Sequence, residues 1–206
     1  MKTQFLLIPV ILALTARCAC GQGTTTFTYD QQSADESHMM DLGFIIQSNQ
    51  PAGQSFTPLL ASVGFVRLHV ISGQNSSSAS TLYVNLRSDS ITGAVLAVTA
   101  PLHLTGIFAD TVNFFFTNAV PVNAGTTYFF QPVVVTADTG IQTFYGAYNY
   151  PGGAMFLNGA AISAGDLWFR EGTYDIVPEP STFSLILASG VAWRYTRRLR
   201  AVRRSG

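Results

Sequence analysis

The sequence predicts an all-β fold, an antiparallel β-sandwich of jelly-roll-like form, with a short hydrophobic helix added at the C-terminal end. Three observations predict it. The chain holds 15 Phe, 8 Tyr and many Val and Thr, residue types whose branched or aromatic side chains pack well on a pleated surface. Apolar residues recur with period two in short runs. Clusters of Gly, Asn, Ser and Pro separate those runs, and no stretch of about 15 residues carries helical spacing. At 206 residues with 11% charged, one sizeable domain plus its flanking segments is the simplest organisation.

Residues 1–21 have the three parts of a secretory signal. Lys2 is the positive start, Phe5 to Leu14 the apolar stretch, and small residues surround Cys18 to Gly21. Cleavage after Cys18, Cys20 or Gly21 is compatible with the small residues there. Lipidation of Cys18 or Cys20 is disfavoured by Arg17, which stands where a small or apolar residue is wanted. Residues 22–50 are polar and acidic and are expected to form an arm or one early strand.

The sandwich is expected over 51–176. Val66, Leu68 and Val70 alternate with Arg67, His69 and Ile71; Leu82, Val84 and Leu86 alternate with Tyr83, Asn85 and Arg87; Val112, Phe114 and Phe116 form a third row. Each row points one apolar edge inward, which places His69 on a solvated face. Further strands are expected over 54–59, 94–99, 126–135, 142–148, 154–157 and 166–170. Pro132 lacks a backbone donor and marks its segment as an edge or bulged strand. Asn123-Ala124-Gly125, Pro151-Gly152-Gly153 and Asn158-Gly159 supply turns.

Charge is distributed unevenly. From Gln22 to Val177 three arginines face ten acids, a balance of minus seven, whereas six arginines and no acid follow Pro180. Nucleic acid binding depends on a basic surface that displaces counterions, so the body of the chain is not expected to bind it. Both cysteines lie in the cleavage region, which leaves the processed chain without thiols or disulfides. No Gly-x-Ser-x-Gly elbow, His-Glu-x-x-His helix or cysteine–histidine arrangement occurs in that body, so a non-enzymatic role is expected, with a secreted hydrolase as the outlying alternative.

Three groups of residues stand out as site candidates. Asp35, Glu36, His38 and Asp41 offer oxygen and nitrogen donors that could hold Ca²⁺, although the spacing is not that of an EF-hand loop and a solvated acidic arm is the simpler account. Asp166 could pair with Arg170, or serve only as a strand-end turn residue. Tyr148, Tyr150 and Trp168 could provide aromatic contact to a sugar in a lectin-like module. Tyr145 falls on the opposite face if strand alternation continues through Tyr150.

The C-terminal region reads Val177-Pro178-Glu179-Pro180, then an apolar run, then Arg194, Arg197, Arg198 and Arg200 among further arginines. The prolines end the sheet and hold an extended segment. From Ser181 to Trp193 the run is 13 residues, shorter than the ~20 that span a bilayer core. As a helix it could still insert, with Trp193 at the interface and the arginines at the cytoplasmic headgroups. These three parts, in this order, resemble the PEP-CTERM sorting signal of exported bacterial proteins. The resemblance implies Pro178, Glu179 and Pro180 as recognition residues for exosortase, a membrane-embedded cysteine transpeptidase. It further implies a signal peptidase as an earlier partner. The precursor would be held in the inner membrane through the tail, before delivery to the cell surface or extracellular matrix.

The sequence between the ends also resembles the exported jelly-roll modules described as choice-of-anchor domains. The matching pieces are Gly53-Gln54-Ser55-Phe56-Thr57-Pro58, Leu82 to Leu86, Asn123 to Tyr128, and Gly165 to Arg170. The resemblance implies a passenger for the sorting tail, with extracellular polysaccharide as a possible partner. Phe114 to Phe116 and Ala160-Ala161 depart from it, so no surface function carries over.

Overall fold

The computed structural model describes residues 24–37, 42–73, 79–137, 139–163 and 165–177. The compact unit that carries the fold is Thr25–Asp175. The expected secretory signal, the Pro-Glu-Pro motif and the expected C-terminal helix, with Trp193 and the terminal arginines, lie outside the described residues.

Among the described residues fourteen strands form two antiparallel sheets. They are β1 (Thr24–Gln32), β2 (Leu42–Ile45), β3 (Gly53–Phe56), β4 (Ser62–Gly73), β5 (Ala79–Ser88), β6 (Val95–Val98), β7 (Leu102–Thr105), β8 (Ile107–Pro121), β9 (Tyr128–Thr136), β10 (Ile141–Gly146), β11 (Met155–Leu157), β12 (Ala160–Ile162), β13 (Asp166–Leu167) and β14 (Phe169–Val177). One sheet runs β1-β14-β4-β10-β13, with β2 on β10 and β8 along β4; the other runs β12-β11-β3-β9-β5-β6, with β7 on β5. Among the described residues the helical content is one 3₁₀ turn, Gln47–Asn49, and no helix there is long and apolar enough to cross a membrane.

The three alternating rows do what their spacing requires. Val66, Leu68 and Val70 on β4, Leu82, Val84 and Leu86 on β5, and Phe114 and Phe116 on β8 are buried in one inter-sheet core. Phe130 and Phe169 close it from the two sheets, with ring centroids 5.1 Å apart. Full burial of each such side chain contributes about 1.5–3 kcal/mol.

Of the segment 22–50, β1 and β2 are built into the sheet, the early-strand alternative rather than an arm. Across β1 and β14 the Ser33 amide donates to the Phe169 carbonyl at 3.1 Å, while Thr28 lies against Gly172, whose added Cβ would stand 2.0 Å from the Thr28 carbonyl oxygen. The opposed numbering makes the pair antiparallel. The first and last strands of the unit therefore begin and finish at the same end of it.

Two local expectations need correction. β9 is not an edge strand, because it pairs with β3 on one side and β5 on the other. Its ladder to β3 ends at the Gln54–Phe130 pair, so Pro132 sits where no ladder donor is required. The Pro132 carbonyl there accepts from Gln50 Nε2 at 2.8 Å. The bulged alternative holds: a register irregularity falls further along β9, opposite Thr81 and Leu82.

His69 does alternate outward from β4, but the outer face is not solvated. Only 3% of His69 is exposed. It lies under a second cluster formed by Ala34, Phe144 and Trp168, with the Phe144 ring 4.9 Å and the Trp168 ring 6.5 Å away. Phe65 shares that outer face by alternation and meets Phe27 at 4.9 Å, while a bulge between Val63 and Phe65 turns Val63 inward to join the core. Bulges re-aim side chains in this way.

Candidate functional site

β10 pairs with β4 from Ser72 to Val70, and β14 takes over the same edge of β4 from Leu68 to Phe65. Between β10 and β14 the chain leaves for β11 and β12 on the opposite sheet and returns through β13. This excursion creates a side wall on the sandwich, and buried polar groups hold it in place. Gln54 Nε2 donates to Asp166 Oδ1 at 2.8 Å, and the Leu167 amide donates to Gln54 Oε1 at 3.0 Å. The Tyr150 amide donates to Asp166 Oδ2 at 3.0 Å. Its hydroxyl donates to Gln31 Oε1 at 3.1 Å and accepts from the Thr57 amide at 3.2 Å.

These contacts assign Asp166 and Tyr150 to the framework. Asp166 is buried and does not pair with Arg170, which instead reaches Glu36 and Gln32. Burial pushes the Tyr150 hydroxyl up to about 12, partly offset by the Thr57 amide and reinforced by the Glu171, Asp30 and Asp166 carboxylates. It is a neutral hydrogen-bonding group throughout the physiological range. A Cβ on Gly152 would come 2.4 Å from its hydroxyl oxygen, so the Pro151-Gly152-Gly153 turn closes directly over the ring.

Tyr148, Tyr150 and Trp168 do not form a common aromatic platform. Trp168 is 1% and Tyr150 8% exposed, which denies a sugar ring access to either face. The Trp168 indole donates instead to the Asp35 carbonyl at 3.2 Å, and the Tyr150 ring meets Phe169 edge-on at 5.1 Å. β10 ends at Gly146, so alternation does not extend to Tyr148 and Tyr150. Tyr145, inside β10, packs toward Phe44 at 6.0 Å. Tyr148 alone of the three is partly exposed; it packs on the Phe144–Trp168 cluster with its hydroxyl oxygen buried.

The acidic group Asp35, Glu36, His38 and Asp41 is divided. His38 and Asp41 lie outside the described residues. Glu36 bridges Arg67 and Arg170, and Arg170 also stacks over Tyr29 at 3.3 Å. Burial works against the Glu36 charge, but its own backbone amide and the two arginines outweigh it, so the carboxyl titrates below its ordinary 4.5. No group of three or more metal-ligating side chains occurs among the described residues.

Two shallow cavities flank the 147–149 segment. One, of about 360 Å³, extends toward Ser163 and Asp166; the other, of about 350 Å³, extends toward Gln32 and Asp35. Both are lined by Ala147, Tyr148 and Asn149.

Two buried titratable groups were not anticipated from the sequence. Glu171 is fully buried on the inner face of β14, opposite Val66. Burial, then repulsion from Asp30, push its carboxyl up to about 9, with the Gln31 backbone amide offsetting part. Alternation continued past Arg170 puts Glu171 in register with Phe169, a signal lost when the strand is ended at Arg170. His69 is the second: burial pulls its imidazole down, partly countered by Asp110, and neither ring nitrogen makes a hydrogen bond among the described residues.

No family model matches the chain, and no curated protein matches it at a significant level.

Proposed function

We propose that this is an exported, non-enzymatic structural component of the bacterial cell surface or exopolysaccharide matrix, processed by a signal peptidase and an exosortase-type transpeptidase. The jelly-roll-like sandwich is its passenger. The observation that carries the proposal is the order of parts: a secretory signal, a β-sandwich, then Val177-Pro178-Glu179-Pro180, an apolar run and an arginine cluster. The architecture supports this reading in one respect. Because β1 and β14 are antiparallel neighbours, the sandwich begins and finishes at one end, next to the segments that carry the two addresses in the sequence. The acidic balance of the body favours neither nucleic acid nor an anionic lipid surface.

Deleting Val177 to Gly206 and fractionating the cells tests the assignment. Loss of surface delivery is expected, and unchanged delivery removes the sorting role. Replacing Pro178, Glu179 and Pro180 with alanine separates recognition from anchoring: the precursor accumulates in the inner membrane with its tail intact, as intact-mass analysis reads directly.

A further inference from the structure

The two cavities beside Tyr148 and Asn149 share a wall and so form one saddle-shaped surface on the side of the sandwich. Each is within the size of small-ligand sites, ~300–1,000 Å³. A chain molecule laid across the ridge would occupy both, whereas a compact ligand would fill one.

The chemistry of the walls narrows the ligand. Ser33, Asp35 and the Gln32 side-chain carbonyl are engaged by Leu167, Phe169, Ser37 and Arg170, which leaves the exposed Asn149 amide and Ser163 hydroxyl as groups that donate to and accept from hydroxyls. Among the described residues neither cavity is lined by lysine or arginine, so a phosphate, sulfate or uronate would meet no counter-charge from them. An acyl chain would meet too many polar groups. Tyr148, the aromatic residue common to both cavities, is partly exposed, with its hydroxyl oxygen buried. Its ring rests on the Phe144–Trp168 cluster, and the backbone beneath it is held by the Tyr150–Asp166–Gln54 hydrogen bonds. A ring fixed before binding loses little side-chain entropy when a ligand arrives, and it suits the apolar face of a pyranose.

We propose that this saddle binds an uncharged polysaccharide chain, with Tyr148 as the stacking surface and Asn149 as the hydrogen-bonding group on the ridge. The proposal deepens the matrix reading by naming what the passenger holds, and it makes Asp166 and Tyr150 positioning residues for the ridge.

The test uses the purified full-length protein and titration calorimetry with neutral oligomers of glucose, mannose and N-acetylglucosamine, set against oligogalacturonate as the acidic probe. At least one neutral series is expected to bind at millimolar strength or better, with the tetrasaccharide tighter than the disaccharide. Oligogalacturonate is expected to be weaker by about tenfold or more. Tyr148→Ala should weaken the neutral ligand by about tenfold, Asn149→Ala by several fold, and Tyr83→Ala on the other sheet not at all. Asn149 is exposed, so its variant reports on the site even if Tyr148→Ala unfolds, which circular dichroism would reveal. The site is overturned if no neutral oligomer binds at about 10 mM, if the acidic probe binds best, or if the Asn149 variant binds unchanged. Binding is read in solution and sorting in cell fractions, so failure of one leaves the other standing.

Discussion

The inner and outer faces of β4 are both buried, but by different means. Inside, Val66, Leu68 and Val70 meet the opposing sheet in a continuous core of aliphatic and aromatic side chains. Outside, His69 and Ile71 lie under Ala34, Phe144 and Trp168, and Arg67 reaches Glu36 and lies over the Phe27 and Tyr29 rings. Directional contacts hold the strap Ser33 to Ser37 that brings Ala34 and Glu36 there. The Ser33 hydroxyl bonds the Leu167 carbonyl, the Trp168 indole bonds the Asp35 carbonyl, and Glu36 reaches both arginines. A sheet packed on a sheet gains stability from area, whereas a strap on a sheet gains it from a few directional contacts. The two faces also hide one titratable group each, with opposite sense: Glu171 inside and His69 outside.

The comparison breaks most severely on the inner side. Phe169→Ala removes a ring that touches Phe130 and Tyr150, and urea unfolding should show a loss of about 3–5 kcal/mol. A loss near 1 kcal/mol would mean that the core collapses around the gap and that the inner face is no tighter than the outer one.

Glu171→Gln should do the reverse. The native carboxyl titrates near 9 against an ordinary 4.5, so between those pH values the folded state holds a proton that the unfolded state has released. Wild-type stability attributable to this group is therefore complete below pH 4.5 and falls as pH rises toward 9. The glutamine variant escapes that fall, so unfolding at pH 8 should show a gain of about 1–3 kcal/mol that is absent at pH 4. An equal effect at both pH values would indicate packing rather than protonation.

His69→Leu tests the outer face with the opposite sign. The imidazole is held below its ordinary 6.5, so the unfolded state takes up the proton first and wild-type stability drops as pH falls through 6.5. The variant should lose less between pH 7 and pH 5, by an amount on the order of 1 kcal/mol. Thermal melts across that range measure it.

The smallest effect is expected at Glu36→Gln. The glutamate is 41% exposed, and bridging two arginines at a surface is worth less than about 1 kcal/mol and fades with salt. A melting temperature that differs from wild type at low ionic strength and converges with it at high salt is the expected result. A salt-independent loss would make the strap a packed element rather than an ionic one.

Much of the inner face was legible beforehand. The rows at Val66, Leu82 and Phe114 are set by period-two alternation, and burying one face of a strand is enough to select them. The Gly-rich turns followed from their residue types. The outer face was not legible, because alternation says which residues share a side and nothing about what covers that side. His69 therefore read as solvated, and Trp168 and Tyr150 read as rings available to a ligand. The burial of Gln54 against Asp166 and Leu167 was not legible either, because that side wall joins residues more than a hundred positions apart.

By itself the sequence determined the strand content, the apolar rows and the order of terminal segments around them, since these depend on local periodicity and composition. The tertiary structure decided which polar residues would be buried, which aromatic ring would stay at the surface, and where the two cavities would lie. The reason is physical: burial and proton affinity depend on what packs from elsewhere in the chain, and no short window of residues contains that information.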